Sequence, residues 1–376
     1  MNYSAYIGSY ASGGGYGIYR LDFDPGAGAM SAAGAARAEN PSYLLFSADR
    51  TMLYAVNESD EWGGEPGGGI TAYSVGEGGS LAESASRPTG GSAPCHLGIC
   101  GGYLFAANYG DGTVSGFPLG GGVPGPRALL HRHEGSGPDR LRQGGPHAHC
   151  VAPVPGSDEF CVVDLGIDQA RFYRVGGTRG APEPGLDPTP GLELELELVQ
   201  AMPAPPGSGP RHVVFSPCGR LAWLVTELSN EVCAMERGGA RDGNGNGNGS
   251  GGSNGSPSGG GWRITHRYSA LPAGYAGASS CAAIRRSPDG KLIAASNRGH
   301  DSVAVFSADE KTGALEPIGI YPTGGKSPRD IAFTPDGKWL LAANQDSDLV
   351  TALSVDGGFG LLELRQRVSK PVAILF

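Results

Sequence analysis

A unit that recurs seven times constrains this chain more than any other feature. One copy reads Pro210-Arg211-His212-Val213-Val214-Phe215-Ser216-Pro217-Cys218-Gly219 and runs on into Leu221-Ala222-Trp223-Leu224-Val225-Thr226-Glu227. The pattern returns at Pro328-Arg329-Asp330-Ile331-Ala332-Phe333-Thr334-Pro335-Asp336-Gly337, followed by Leu340 to Asn344. It returns again at Ser287-Pro288-Asp289-Gly290, followed by Leu292 to Arg298, and weaker copies begin at Pro41, Pro94 and Pro146. Each copy is a short apolar strand, a Pro-Asp-Gly type turn and a second strand. Many add a Gly, Asp or Ser turn and a third strand, as in Gly112 to Phe117 or Asp301 to Phe306. Pro41, Pro94, Pro146, Pro210, Ser280, Pro328 and Pro371 are spaced 53, 52, 64, 70, 48 and 43 residues apart. Periods near 40–50 residues with several strands per unit mark the blades of a propeller.

The chain is therefore expected to be all-β, a single seven-bladed β-propeller domain over residues 1–376. The final unit has only its first strand, Pro371 to Phe376, and the N-terminus carries the missing strands at Ala5 to Ser9, Gly17 to Leu21 and near Ala32. Pairing N- and C-terminal strands in one blade would close the ring and remove two exposed sheet edges. The longest interval contains residues 238–261, almost wholly Gly, Asn and Ser, which reads as a flexible surface insertion with nothing to bury.

Composition agrees. With 66 glycines and 29 prolines in 376 residues, long helices are disfavoured, and 39% hydrophobic residues argue against disorder throughout. A net charge of −9 without a Lys/Arg run gives nucleic acid no basic face, and no apolar stretch is long enough for a spanning helix. Residues Met1 to Gly8 lack the basic and apolar regions of a signal peptide, and seven cysteines without CxxC pairs suit free thiols. The expectation is a soluble cytoplasmic protein with no nucleic-acid, membrane or obligate protein partner.

The first two strands of each unit run antiparallel, so the start of one and the end of the other share a mouth of the ring. Six residues before the turn proline stand His149, Arg211 and Arg329; the second strands end at Asn57, Asn108, Asp164, Glu227, Asn297-Arg298 and Asn344. Polar groups from different blades thus converge on one opening, a plausible small-molecule site. His147 and His149 form an HxH pair without a third ligand at a recognisable spacing, so no metal is expected. Gly251 to Gly255 matches GxSxG but follows no strand, and is set aside as a nucleophile elbow.

At these residues the chain resembles the seven-bladed propeller lactonases, which include propeller-type 6-phosphogluconolactonases and fungal 3-carboxy-cis,cis-muconate cyclases. The resemblance is carried by Ile7-Gly8-Ser9-Tyr10, Ala107-Asn108-Tyr109-Gly110, Pro146-His147-Ala148-His149, Asp164-Leu165-Gly166, Gly209-Pro210-Arg211-His212, Ser296 to His300 and Ala343 to Ser347. It implies an active site of a His, two Arg and a Glu, falling here on His149, Arg211, Arg298 and Glu227, with His147 as the alternative histidine. Relatives often show Ala-Glu-Ile where this chain has Ala282-Ala283-Ile284.

The implied activity is hydrolysis of a small anionic sugar lactone without a cofactor. His149 would serve as general base, Arg211 and Arg298 would hold phosphate or oxyanion, and Glu227 would orient them. Arg329, His147, Asp164 and Asn344 are candidate substrate contacts, with blade-end capping the other reading for Asp164 and the asparagines. The alternatives are a muconate-type cycloisomerase that forms a lactone, and a non-catalytic propeller that binds partners.

Overall fold

The computed structural model describes residues 2–10, 15–179, 193–238, 260–356 and 358–376. They form seven antiparallel sheets of four main strands. Blade 1 comprises Leu44–Phe46, Met52–Asn57, Gly69–Val75 and Leu81–Pro88; blade 2, Pro94–Cys100, Tyr103–Asn108, Thr113–Gly120 and Leu129–Arg132; blade 3, Ala148–Pro153, Glu159–Asp164, Gln169–Arg179 and Glu193–Pro203. Blade 4 comprises Pro210–Phe215, Leu221–Thr226, Glu231–Arg237 and Trp262–Ser269; blade 5, Ser280–Arg286, Leu292–Arg298, Ser302–Ala308 and Leu315–Pro322; blade 6, Pro328–Phe333, Trp339–Asn344, Leu349–Ser354 and Gly360–Arg367.

Blade 7 is the expected closure. Its inner strand is Pro371–Leu375 and its other three are Tyr3–Ser9, Gly17–Asp24 and Ala29–Arg37, with Tyr6 opposite Leu375 and Ile7 opposite Ile374. The seven first strands touch one another in ring order, the last against the first of blade 1, and so line a central channel.

The apolar runs of the second strands follow from this stacking. Met52–Asn57, Glu159–Asp164 and Leu221–Thr226 are buried at every position, because each is covered by a neighbouring blade on both faces. Outermost strands such as Leu81–Pro88 keep a wet face. The core accordingly divides into seven hydrophobic clusters, one at each interface between adjacent blades.

The repeated turn joins the first strand to the second at the mouth opposite the one of interest. In blade 5 the Leu292 N–H donates to Ser287 Oγ (2.9 Å), Ser287 Oγ donates to Asp289 Oδ1 (2.6 Å), and Gly290 adopts φ +80°. Blade 1 places Arg50 at the equivalent left-handed position, φ +59°. The expected Gly/Asn/Ser insertion lies, over 239–259, outside the described residues. Its flanks meet where Gly238 N–H donates to Gly261 O (3.1 Å), at the tip of the outer hairpin of blade 4 and on that same opposite side.

Candidate active site

The inner strands carry a shared irregularity that builds the site. In blades 2, 3, 4 and 6 the register passes from Pro94↔Asn108 to His96↔Ala107, from Ala148↔Asp164 to Cys150↔Val163, from Pro210↔Thr226 to His212↔Val225, and from Pro328↔Asn344 to Asp330↔Ala343. The residues left unpaired are Cys95, His149, Arg211 and Arg329. A bulge of this kind re-aims a side chain that would otherwise follow the pleat. Ala93, Gly209 and Ser327, each just before the strand's first proline, enter with φ +50°, +59° and +55°.

In blades 1 to 6 a second ring comes from the residue that follows the last one paired with the blade's third strand. The paired strand ends are Asn57, Asn108, Asp164, Thr226, Asn297 and Asn344, all buried. One step further stand Glu58, Tyr109, Leu165, Glu227, Arg298 and Gln345, with Tyr10 in blade 7 after Ser9. Glu227 therefore belongs with Glu58 and Arg298. Thr226, a short polar residue in place of asparagine, takes the strand-end position at which the sequence reading had put Glu227.

Glu227 is the hub of the cluster. Its Oε2 accepts from Arg211 Nε (3.0 Å) and pairs with Arg298 Nη2 (2.9 Å), while its Oε1 accepts from Arg142 Nη2 (2.5 Å). Arg211 Nη1 also donates to Ala282 O (2.7 Å), and Arg298 Nη2 to Cys281 O (3.1 Å), so backbone carbonyls of blade 5 fix both guanidiniums. Arg298 Nε is buried and meets no acceptor among the described residues. Burial works to raise the Glu227 carboxyl, but Arg298 and Arg211 outweigh it and hold it well below the usual range. Glu227 thus stays ionised and is no proton acceptor at neutral pH. Burial, and then Arg298, bring Arg211 down to about 10, which still leaves it charged. Three guanidiniums share one carboxylate, an excess of two positive charges.

His149 lines the cavity at this mouth together with Arg211, Arg329, Glu58 and Cys95. Its imidazole is pushed well below 6.5 by burial and by Arg211, with Glu227 opposing. It is neutral at pH 7. Tyr109 meets it edge-on (5.2 Å), and its Nδ1 lies 3.6 Å from Cys95 Sγ. Below it His212 (5.3 Å from His149) and His96 (5.0 Å from His212) continue a column that ends stacked on Tyr43 (3.8 Å). Across the mouth Tyr10 donates to Glu58 (3.0 Å), and Arg329 lies over the Tyr10 ring with its Nη2 3.9 Å from Glu58.

The structure brings together His149, Arg211, Glu227, Arg298 and Arg329. Asp164 and Asn344, read either as substrate contacts or as blade-end caps, lie outside this cluster. Asp164 is fully buried; its Oδ1 accepts the backbone N–H groups of His147 and Gly166, and its Oδ2 lies 2.7 Å from His133 Nδ1. Asn344 is equally buried, donating to Thr351 and accepting from Thr323. Both cap blade ends. His147 sits at the rim, its Nδ1 donating to Tyr109 O (2.7 Å) and its ring stacked on Tyr109 (4.6 Å). Ala283, where relatives often carry Glu, packs into the core between blades 5 and 6.

Arg142, Glu58 and Tyr10 were not foreseen. The last two stand at the ring position of Arg298, so correct register would have found them. Arg142 comes from the connection between blades 2 and 3, outside the repeat. Among the described residues no group of three or more His, Cys, Asp or Glu side chains is arranged to hold a metal ion.

The histidine column predicts acid lability. His96, His149 and His212 are all held well below 6.5, first by burial. Between the lowered folded values and 6.5 the unfolded chain binds more protons, so stability falls as pH drops below 6.5, by up to about 1.4 kcal/mol per pH unit for each imidazole. The Glu227 pairing adds a second loss, beginning near its ordinary value of 4.5 and continuing downward. Melting temperature should be level from pH 8 to 7 and fall steeply from 6.5 to 5. A His212→Gln variant should show a shallower fall, and an equal slope in the two proteins would refute the assignment.

A closed seven-bladed ring with a cationic, histidine-bearing pocket at one mouth is the class of molecule these observations define. The chain belongs to the lactonase family of seven-bladed β-propellers, whose profile matches residues 4–246 and 253–376. It is 31% identical over 337 residues to the 6-phosphogluconolactonase of Bacillus subtilis, covering 88% of this chain and 85% of that one. Among solved structures, the periplasmic gluconolactonase of Pseudomonas aeruginosa superposes with a TM-score of 0.81 at 30% identity, covering 100% of this chain and 98% of that one. A protein from Lactobacillus plantarum superposes with a TM-score of 0.82 at 27% identity, covering 100% and 99%.

Proposed function

We propose that the protein hydrolyses a small anionic sugar lactone, with 6-phosphogluconolactone as the substrate. The observation that carries this reading is the excess of two positive charges around Glu227 beside a neutral, buried His149. A lactone needs water delivered to its carbonyl and a counter-charge for the oxyanion that develops. His149, neutral at pH 7, takes the proton of the attacking water. Arg211 and Arg298 face the oxyanion, and the Arg298 Nε donor gains an acceptor there; an unsatisfied buried donor costs about 1–3 kcal/mol, which substrate binding recovers. Collapse of the tetrahedral intermediate breaks the ring C–O bond, the protonated His149 returns its proton to the departing ring oxygen, and a hydroxy acid results. No electron is transferred, so the chemistry calls for no redox cofactor. Glu227 holds the arginines in place and moves no proton.

The compartment we propose is the cytoplasm, on the strength of seven free cysteines, six of them buried; fractionation of expressing cells tests it. For the reaction, the protein is incubated with fresh 6-phosphogluconolactone, unphosphorylated gluconolactone and a muconate, following acid release and ultraviolet absorbance. Acid release from the phosphorylated lactone well above its spontaneous rate is expected, with the muconate unchanged. Consumption of the muconate without acid release from either lactone would establish the cycloisomerase in its place.

A further inference from the structure

We propose that Arg142 is the specificity-determining residue of this mouth and holds the anionic substituent of a phosphorylated lactone, leaving Arg211 and Arg298 to the reacting carbonyl. The inference rests on the lactonase reading above. Arg142 belongs to no blade. It is presented by the connection between Leu129–Arg132 and Ala148–Pro153, and that connection is built to hold it. The neighbouring Gln143 is fully buried and donates to Leu165 O and Asp168 Oδ1, both at 2.8 Å. Gln143 Oε1 accepts from Asp139 N–H (3.2 Å) and its backbone carbonyl from Gly137 N–H (2.9 Å). Asp139 Oδ1 in turn accepts the N–H groups of Leu141 (2.9 Å) and Arg142 (3.2 Å). Leu141 is 94% exposed, so Arg142 stands between a pinned, buried residue and open solvent. Its Nη2 reaches Glu227 and, at 3.4 Å, the Tyr109 hydroxyl.

The three guanidiniums on Glu227 form a graded series. Arg211 is 3% exposed with Nε and Nη1 already bonded; Arg298 is 18% exposed, its Nη2 shared between Glu227 and Cys281 O; Arg142 is 40% exposed, and its hydrogen bonds to described residues use Nη2 alone. A phosphate dianion is strongly hydrated, and carrying it deep into the channel forfeits that hydration. A lactone carbonyl is uncharged until water attacks, so it is the part that enters cheaply and gains most from cations in a low-dielectric site. The charged end therefore stays at the rim, where Arg142 offers a free edge for paired hydrogen bonds.

The test compares wild type, Arg142→Ala and Arg142→Lys on 6-phosphogluconolactone and on unphosphorylated gluconolactone, alongside calorimetric binding of 6-phosphogluconate. The expected result for Arg142→Ala is a KM for the phosphorylated lactone raised roughly 10–100-fold, at least ten times the change seen with the unphosphorylated one. Binding of 6-phosphogluconate should weaken by a similar factor, and lysine should restore part of both. An equal fall in kcat on the two lactones would overturn the proposal and make Arg142 a positioning residue for Glu227. An unchanged KM with unchanged 6-phosphogluconate binding would also overturn it. If wild type turns over neither lactone yet binds 6-phosphogluconate through Arg142, the hydrolytic reading fails while the anion site stands.

Discussion

Deletion of residues 371–376 is expected to abolish the cooperative thermal transition and leave the chain largely insoluble. This segment is the inner strand of blade 7, the only covalent contribution of the C-terminus to a sheet otherwise made from residues 3–37. Val372, Ala373 and Ile374 are 3%, 2% and 5% exposed, and Ala373 and Ile374 belong to the two clusters that join blade 7 to blades 1 and 6. Burying a Val or Ile side chain contributes about 1.5–3 kcal/mol, before counting the backbone pairing to Tyr6 through Ser9. The loss spreads further, because the Ile374 N–H donates to Asp330 (2.8 Å), the buried partner of Arg285. Together these approach the whole stability of a folded domain, about 5–15 kcal/mol, and two unpaired edges are left for aggregation. Ile374→Ala, which keeps the strand, should instead lower stability by about 2–5 kcal/mol and preserve a single transition. Calorimetry of both proteins decides the matter: a truncated chain melting cooperatively within a few degrees of the full one would show that closure is dispensable.

That closure was legible before any coordinates, and the reason is physical. A blade's second strand is covered on both faces, so it must be an unbroken apolar run. The turn before it needs a left-handed residue, which Gly219, Gly290 and Gly337 supply. Both constraints repeat, and repetition makes them readable. Spacing from the turn proline likewise placed His149, Arg211 and Arg329 at one position, because the bulge that re-aims them recurs in the same place.

Glu58 and Tyr10 apart, what escaped the sequence does not repeat. Thr226 ends its apolar run as the asparagines end theirs, yet a threonine there looks like one more strand residue, and Glu227 was taken for the terminus. Asp164, which shares the strand-end pattern with Asn108 and Asn297, was read as a cap or a substrate contact; its capping oxygens are taken by the His147 and Gly166 N–H groups and faced by His133, partners that nothing local specified. Arg142 lies in a Gly-, Pro- and Asp-containing connection whose course is set by Gln143 docking onto Leu165 and Asp168 more than twenty residues away. Position within a strand is encoded by period; position of a loop residue is encoded by its tertiary anchors.

Substituting His149 by alanine should reduce kcat by roughly 10²–10⁴-fold on both lactones, phosphorylated or not, with little change in KM. The factor should be the same for both substrates because the imidazole acts at the carbonyl they share. The pH profile of the wild-type protein carries the same information independently. A general base works only when unprotonated, and His149 is held well below 6.5 by burial and by Arg211. The acid limb of kcat/KM, which reports the free enzyme, should therefore lie below pH 6.5, and activity should persist through mildly acid pH until the fold itself fails. An anion bound at the mouth partly offsets the cations that suppress protonation, so the acid limb of kcat should stand at higher pH than that of kcat/KM. Measured together on wild type and His149→Ala, these profiles leave little room for compensation. A variant that keeps its kcat would transfer the proton to another group, with His147, stacked on Tyr109 at the rim, as the first to examine. A wild-type acid limb of kcat/KM above 6.5 would mean that the imidazole at this bulge is not the base.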